Sequence, residues 1–255
     1  MNPLASFLAA LRFLTIIPIT WKSERDYHFF STAIFFFPLI GLIIGVITAV
    51  ILYFLFANIP TDLRSVLLVF ILAILSGFLH LDGLADSADG FLSARPKQQM
   101  LEIMRDSRIG VMGVLAIVFI VLLKITSLNL LSFHQQLIAV IAMPIAGRAA
   151  IVFSMAILPY ARKEGGLGRL FYSKLTRTAA VITFILMIIL SFYLLYVGFL
   201  STKAILIILG SILCVIVLFS MWCKKMIGGA TGDTLGAISE LSETTMVIMI
   251  AIMQF

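Results

Sequence analysis

Residues 65–90 read SVLLVFILAILSGFLHLDGLADSADG. Residues 65–79 carry no charge, and the run that follows places Asp82, Asp86 and Asp89 within eight positions. The spacing i, i+4, i+7 puts three carboxylates on one face if the stretch is helical. Packed like charges repel, so such a face calls for a cation. All-oxygen ligands suit Mg²⁺, Mn²⁺ or Ca²⁺ better than zinc. Gly83 and Gly90 bracket the cluster and allow close backbone approach or a break in the helix. A solvated acidic loop at a helix end is the plainer alternative; the apolar flanks and the shared face weigh against it. His80 precedes the cluster and is equally suited to orienting a carboxylate or to sitting at an interface.

Working outward, the composition settles the class. Of 255 residues, 62% are hydrophobic and 12% charged, with a mean hydropathy of +1.17. A soluble domain is about half apolar and about a quarter charged. The chain therefore reads as an all-α polytopic membrane protein, a single integral-membrane domain over 1–255 with no length left for a soluble one. Seven spans are expected, at about 29–57, 63–79, 110–131, 136–158, 179–200, 204–222 and 235–253. Residues 4–19, interrupted by Arg12 and ended by Pro18, are too short for a secure span and read as an interfacial or re-entrant helix. No basic region precedes that run, so no cleavable signal is expected. Gly41 and Gly45 form a G-x-x-x-G suited to close helix contact. Cys214 and Cys223 lie about 13 Å apart along one helix, too far for a disulfide.

The connections at 21–28, 92–109, 159–177 and 223–233 hold 13 of the 18 Lys and Arg residues; those at 58–64, 129–136 and 199–203 hold only Arg64 and Lys203. The positive-inside rule assigns the basic set to the cytoplasm. That bias accounts for the formal charge of +6 without nucleic-acid binding. Every polar constellation then falls on the cytoplasmic side. A transporter would instead place its essential polar groups near the midplane of an inverted repeat, and no convincing repeat is present.

Arg105 and Arg108, flanking Asp106 just before a span, are candidate anion ligands, because the guanidinium fork gives phosphate two hydrogen bonds at once. Arg162 joins them from a glycine-rich loop whose Gly165 and Gly166 can offer backbone N–H groups. Lys163, Lys174, Arg177, Lys224 and Lys225 are explained by topology alone. Thr231 and Asp233 sit in a Thr-Gly-Asp turn at a helix start, where Asp233 is equally a capping residue or a metal ligand. Arg148 and Glu240 lie roughly 9–15 Å deep by helical rise and Glu243 is likewise at or near membrane depth, where charges need partners or a polar cavity. Lys124, in mid-span, is expected to snorkel or to line the cavity. Carboxylates holding a divalent cation among arginines point to chemistry on a phosphate ester.

The run LHLDGLADSADG at 79–90 resembles the signature of the cobalamin synthase, or adenosylcobinamide-GDP ribazoletransferase, family. MRDSRIG at 104–110, LPYAR at 158–162 with GGLG at 165–168, and GGATGDTLGA at 228–237 resemble its further motifs, in order, and ALRFLTIIP at 10–18 resembles its opening. The resemblance covers nearly the whole chain. It implies Mg²⁺-dependent transfer of the adenosylcobinamide phosphate moiety from adenosylcobinamide-GDP to α-ribazole, or α-ribazole 5′-phosphate, with release of GMP. It also implies a multi-pass protein in the inner membrane of a prokaryote, its site facing the cytoplasm; self-association is left open. Asp82, Asp86 and Asp89 are then the expected metal ligands, and Asp82, Asp106 and Asp233 the expected catalytic acids. Arg105, Arg108, Arg162, Gly165, Gly166 and Thr231 are the expected substrate contacts. A CDP-alcohol phosphotransferase is the nearest alternative, but that class has arginine after D-G-x-x-A, where Asp86 stands here.

Overall fold

The computed structural model describes residues 2–19, 26–162, 166–196 and 200–253. In chain order the helices are α1 (Pro3–Leu14), α2 (Asp26–Ala33), α3 (Phe37–Leu55), α4 (Thr61–Leu75), α5 (Leu79–Leu92), α6 (Lys97–Ile103), α7 (Val111–Asn129), α8 (Phe133–Ile157), α9 (Thr176–Tyr196), α10 (Thr202–Ile227) and α11 (Gly232–Ile252). Short 3-10 turns occupy Ile34–Phe36 and Leu167–Phe171. Among the described residues there is no strand, only one isolated parallel bridge between Tyr160 and Ala230.

The membrane class holds, but the spans differ from the seven expected. Among the described residues, Phe29–Leu55, α7, α8, α10 and α11 are long and apolar enough to cross a bilayer, which makes five, or six if α4 and α5 together form one broken span. Helix α4 has 15 residues, about 22 Å of rise against a hydrocarbon core of about 30 Å. It ends because Gly77 (φ +61°) and Phe78 (φ +57°) are both left-handed, and α5 leaves at 90° to α4. The acidic cluster therefore lies on a separate helix turned across the bundle, not at the tip of a straight span. Helix α9 covers the fifth expected span; its segment Thr176–Met187 counts with α1 among the shorter apolar helices.

Two helices form the centre. Over their apolar windows α8 is 78% buried and α11 72%, against 28% for α7 and 33% for α10. The expected close contact at Gly41 and Gly45 is present: a Cβ on Gly41 would sit 2.5 Å from the Pro144 carbonyl oxygen, and one on Gly45 would sit 2.6 Å from Ile141 Cα. Glycines also set the crossing of α5 on α11. A Cβ on Gly83 would lie 2.7 Å from the Asp233 carbonyl oxygen, and one on Gly236 3.3 Å from Gly83 Cα.

The deep charges pair with one another. Lys124 on α7 donates to Glu240 (2.7 Å) and Glu243 (2.8 Å) on α11, and Arg148 on α8 donates to Glu243 and to Ser76 Oγ (2.6 Å). Two cations and two carboxylates neutralise each other. Lys124, 4% exposed, is thus a bridge between two acids and does not snorkel, because its partners lie inside the bundle. The loops segregate as their charge implied. At one end Asn129 bonds Asp62 and Arg64 bonds Gln136; at the other, the segments around 97–105, 159–162 and 228–233 meet.

Candidate functional site

Helix α5 realises the expected face: Asp82 is exposed, Asp86 and Asp89 are half-buried, and Gly83, Leu84, Ala85 and Ser87 are buried between them. The Gly83–Gly236 crossing brings the first turn of α11 alongside, so Asp82, Asp89 and Asp233 all act on the charge of Asp86, with Arg162 acting in the opposite sense. Four carboxylates from two helices meet here, one more than the α5 pattern alone supplies.

The four differ in what they already hold. Asp89 accepts hydrogen bonds from Gly110 N (2.7 Å) and Gly113 N (2.9 Å). It therefore caps α7 from a neighbouring helix, supplying acceptors to N–H groups that a helix start leaves orphaned. Gly110 and Gly113 are required there, since a Cβ on either would meet the Asp89 carboxylate. Asp233 accepts from Arg162 Nη2 (2.7 Å) and from the Thr231 hydroxyl (3.1 Å), both at Oδ2. Asp82 and Asp86 accept no hydrogen bond from the described residues. Among those residues no three His, Cys, Asp or Glu side chains close into a cage for an ion. Two open carboxylates one helical turn apart nevertheless fit Mg²⁺, which takes one or two carboxylates and completes its shell with water and substrate phosphate.

Arg162 is positioned by a backbone clasp. Ala161 N donates to Ala230 O (2.8 Å) and Ala230 N to Pro159 O (2.9 Å). Gly229 permits this, because a Cβ there would collide with the Pro159 carbonyl. The clasp lays Tyr160 and Arg162 over the start of α11. Together with Asp82, His80 and Asp233 they line a cleft of about 210 Å³ whose far wall is aromatic: Phe13, Phe37 and Phe171. The three rings pack on one another, with Phe171 4.7 Å from Phe13 and 5.3 Å from Phe37. His80 is 3% exposed, its Nε2 has no partner among the described residues, and Arg148 and Lys124 act on it from the ionic cluster behind. This wall could not be read from sequence, as phenylalanines in apolar helices carry no sign of which face a cleft.

The other expected residues fall in three places. Gly166 (φ +96°) lines the cleft beside Tyr160, whereas Gly165 lies outside the described residues. Thr231 is fully buried; its hydroxyl caps α11 by accepting from Thr234 N (3.3 Å), so it reaches the site through Asp233. Asp106 and Arg108 form an exposed pair at 2.5 Å that borders neither this cleft nor its neighbour. The Arg108 hydrogen bond pulls the Asp106 carboxyl down to about 2, which keeps the turn ionised at neutral pH. Arg105 lines an adjoining cleft of about 360 Å³ together with Arg162.

A family profile described as cobalamin-5-phosphate synthase matches residues 6–251. The chain belongs to that family. Among its similar proteins are an adenosylcobinamide-GDP ribazoletransferase of Thermoanaerobacter sp. (strain X514), 38% identical over 97% of both chains, and one of Clostridium novyi (strain NT), 35% identical over 98% of this chain and 97% of the relative. No solved structure matches. As a member of the cobalamin-5-phosphate synthase family, the chain is a transferase of cobalamin biosynthesis with its polar cleft at one end of an apolar bundle.

Proposed function

We propose that this chain transfers the adenosylcobinamide phosphate moiety from adenosylcobinamide-GDP to α-ribazole or its 5′-phosphate, using Mg²⁺ and facing the cytoplasm of a prokaryotic inner membrane. The observation that carries this reading is the meeting of Asp82 with the Arg162–Asp233 pair in one cleft, with Asp86 one helical turn along α5 and within electrostatic reach of both aspartates, in a chain whose relatives are named for that reaction. The orientation rests on the Lys and Arg excess of the loops at that end.

Each group has a role in the displacement. A ribose hydroxyl of the acceptor attacks the phosphorus that bears the cobinamide and forms the new O–P bond; the bridging P–O bond of the diphosphate breaks, GMP leaves with the bridging oxygen, and the hydroxyl proton goes to a carboxylate. Asp233 is suited to take it: Arg162 and Thr231 engage Oδ2, and the other oxygen is left for the substrate. Arg162 and Arg105 take the anionic phosphate oxygens, where positioning and charge stabilisation supply most of the rate. Asp82 and Asp86 would hold Mg²⁺, which would supply neutralisation of charge on the diphosphate. Asp89 keeps α7 docked behind them. The aromatic wall keeps bulk water from the reacting phosphorus.

Purified protein in detergent, given adenosylcobinamide-GDP, α-ribazole and Mg²⁺, is expected to release GMP and form the joined corrinoid, and to stop when the metal is chelated. Absence of GMP release with either ribazole form refutes the reading.

A further inference from the structure

We propose that the second cleft, on the outer face of α6, seats the guanine nucleotide leaving group, and that Glu102 reads its base; this rests on the reaction proposed above. The cleft is lined by Lys97, Gln98, Leu101, Glu102, Arg105, Ala161 and Arg162. Arg162 borders both clefts. A diphosphate crossing it places one phosphate beside the aspartates and the other toward Lys97 and Arg105. Arg162 Nε has no partner among the described residues although it is buried, so a donor remains for a ligand oxygen.

The residue that distinguishes this cleft from a plain anion site is the carboxylate. Three cations lining it suit phosphate; a fourth side chain of opposite sign opposes that use. Guanine resolves the conflict, because its N1–H and N2–H₂ form an adjacent pair of donors and a carboxylate presents two matching acceptors. Adenine has no such donor pair. Glu102 is exposed and, among the described residues, is met by Gln98 Nε2 at 3.5 Å, a length at which a hydrogen bond is weak, so it is available to a base. Lys97, Glu102 and Arg105 follow one another along α6 and the turn after it. The phosphate ligands and the base reader are thus placed on one short element. Lys97 Nζ lies near the end of α10, 2.9 Å from where a Cβ on Gly228 would stand, while Lys97 lines the cleft.

The test uses the full-length protein in detergent, with GMP, IMP and AMP as inhibitors of turnover and GMP binding measured directly by equilibrium dialysis. Wild type is expected to prefer GMP to AMP, with IMP, which lacks the N2 amino group, in between. Glu102→Ala is expected to weaken GMP by roughly ten- to a hundredfold, the range of a hydrogen bond to a charged group, while leaving AMP unchanged. Lys97→Ala should weaken all three alike. An unaltered GMP-to-AMP ratio in Glu102→Ala, or no discrimination by the wild type, overturns the guanine site while GMP release by the wild type still upholds the reaction. Failure of wild-type GMP release removes the reaction itself. Unfolding temperature of each variant separates loss of binding from loss of structure.

Discussion

Four aspartates of one residue type have different partners in this site, and the partners predict different work for each. Asp89 has both oxygens on α7 backbone and Asp233 has one on Arg162, while Asp82 and Asp86 are left open to a ligand. Replacing each by Asn should therefore give different signatures. Asp82→Asn and Asp86→Asn are expected to raise the Mg²⁺ needed for half-maximal turnover, Asp82→Asn abolishing turnover at ordinary Mg²⁺, with the unfolding temperature unchanged. Asp89→Asn keeps one acceptor and should lower stability by about 1 kcal/mol, the scale of a lost cap, without moving the Mg²⁺ dependence. A Mg²⁺ titration alongside thermal unfolding checks both; equal behaviour of all three variants would remove the division of labour. Arg105→Lys should lose most activity, since an ammonium cannot reproduce the planar fork, and a steady-state comparison with Lys224→Gln, expected to be near silent, checks it. The i, i+4, i+7 spacing made the α5 face legible, but not which of its acids are already engaged, because the donors come from residues more than twenty positions away.

At the scale of elements, the site exists because helices approach closely at glycines. Gly83 is the critical one, where an added Cβ would press on Asp233 backbone, which cannot move without shifting α11. Gly83→Ala is expected to destabilise by about 1–3 kcal/mol through overpacking and to reduce turnover further, by separating Asp82 from Asp233. Gly210 on α10 has nothing within 4 Å of its Cβ position, so Gly210→Ala should stabilise by about 0.5–1 kcal/mol, as at an unhindered helix interior. Activity and unfolding measurements on the pair separate close approach from helix propensity. The 90° break between α4 and α5 belongs here too. Sequence reading extends the second span through 79 because Gly77 alone is a weak interruption; the left-handed Phe78 beside it is imposed by packing, and no propensity announces it.

Across the whole molecule, a buried ionic cluster joins the central helices. Glu243 serves two cations, Lys124 and Arg148. Glu243→Gln is expected to cost about 3–5 kcal/mol, the penalty of leaving buried charge uncompensated, and more than Glu240→Gln, which leaves Lys124 one acid; detergent unfolding curves order the two. The cluster is self-neutral inside the bundle, so a transport pathway finds no free charge at this depth among the described residues. Orientation is tested by labelling single cysteines from the periplasmic side: Ser201→Cys should react, and Ser93→Cys and Ser173→Cys should not. Labelling of all three would put the site on the wrong face or the topology in error.

Composition, apolar run length and loop charge are properties of the chain alone. They were sufficient for the membrane class, the helical content and the acid-bearing face of α5, because water and lipid act on each segment separately. The G-x-x-x-G contact was likewise legible, since small residues at one spacing have few other uses in a span. Only the tertiary structure decided that Asp89 caps α7, that Thr231 acts through Asp233, that Lys124 bridges two glutamates, and that Arg162 stands between two clefts. Each of these depends on which helix crosses which, and at what distance. Charge pairing and hydrogen bonding act over a few ångströms in space, and residues 71 or 116 positions apart in the chain, such as Arg162 and Asp233 or Lys124 and Glu240, come within that range only when the bundle is assembled.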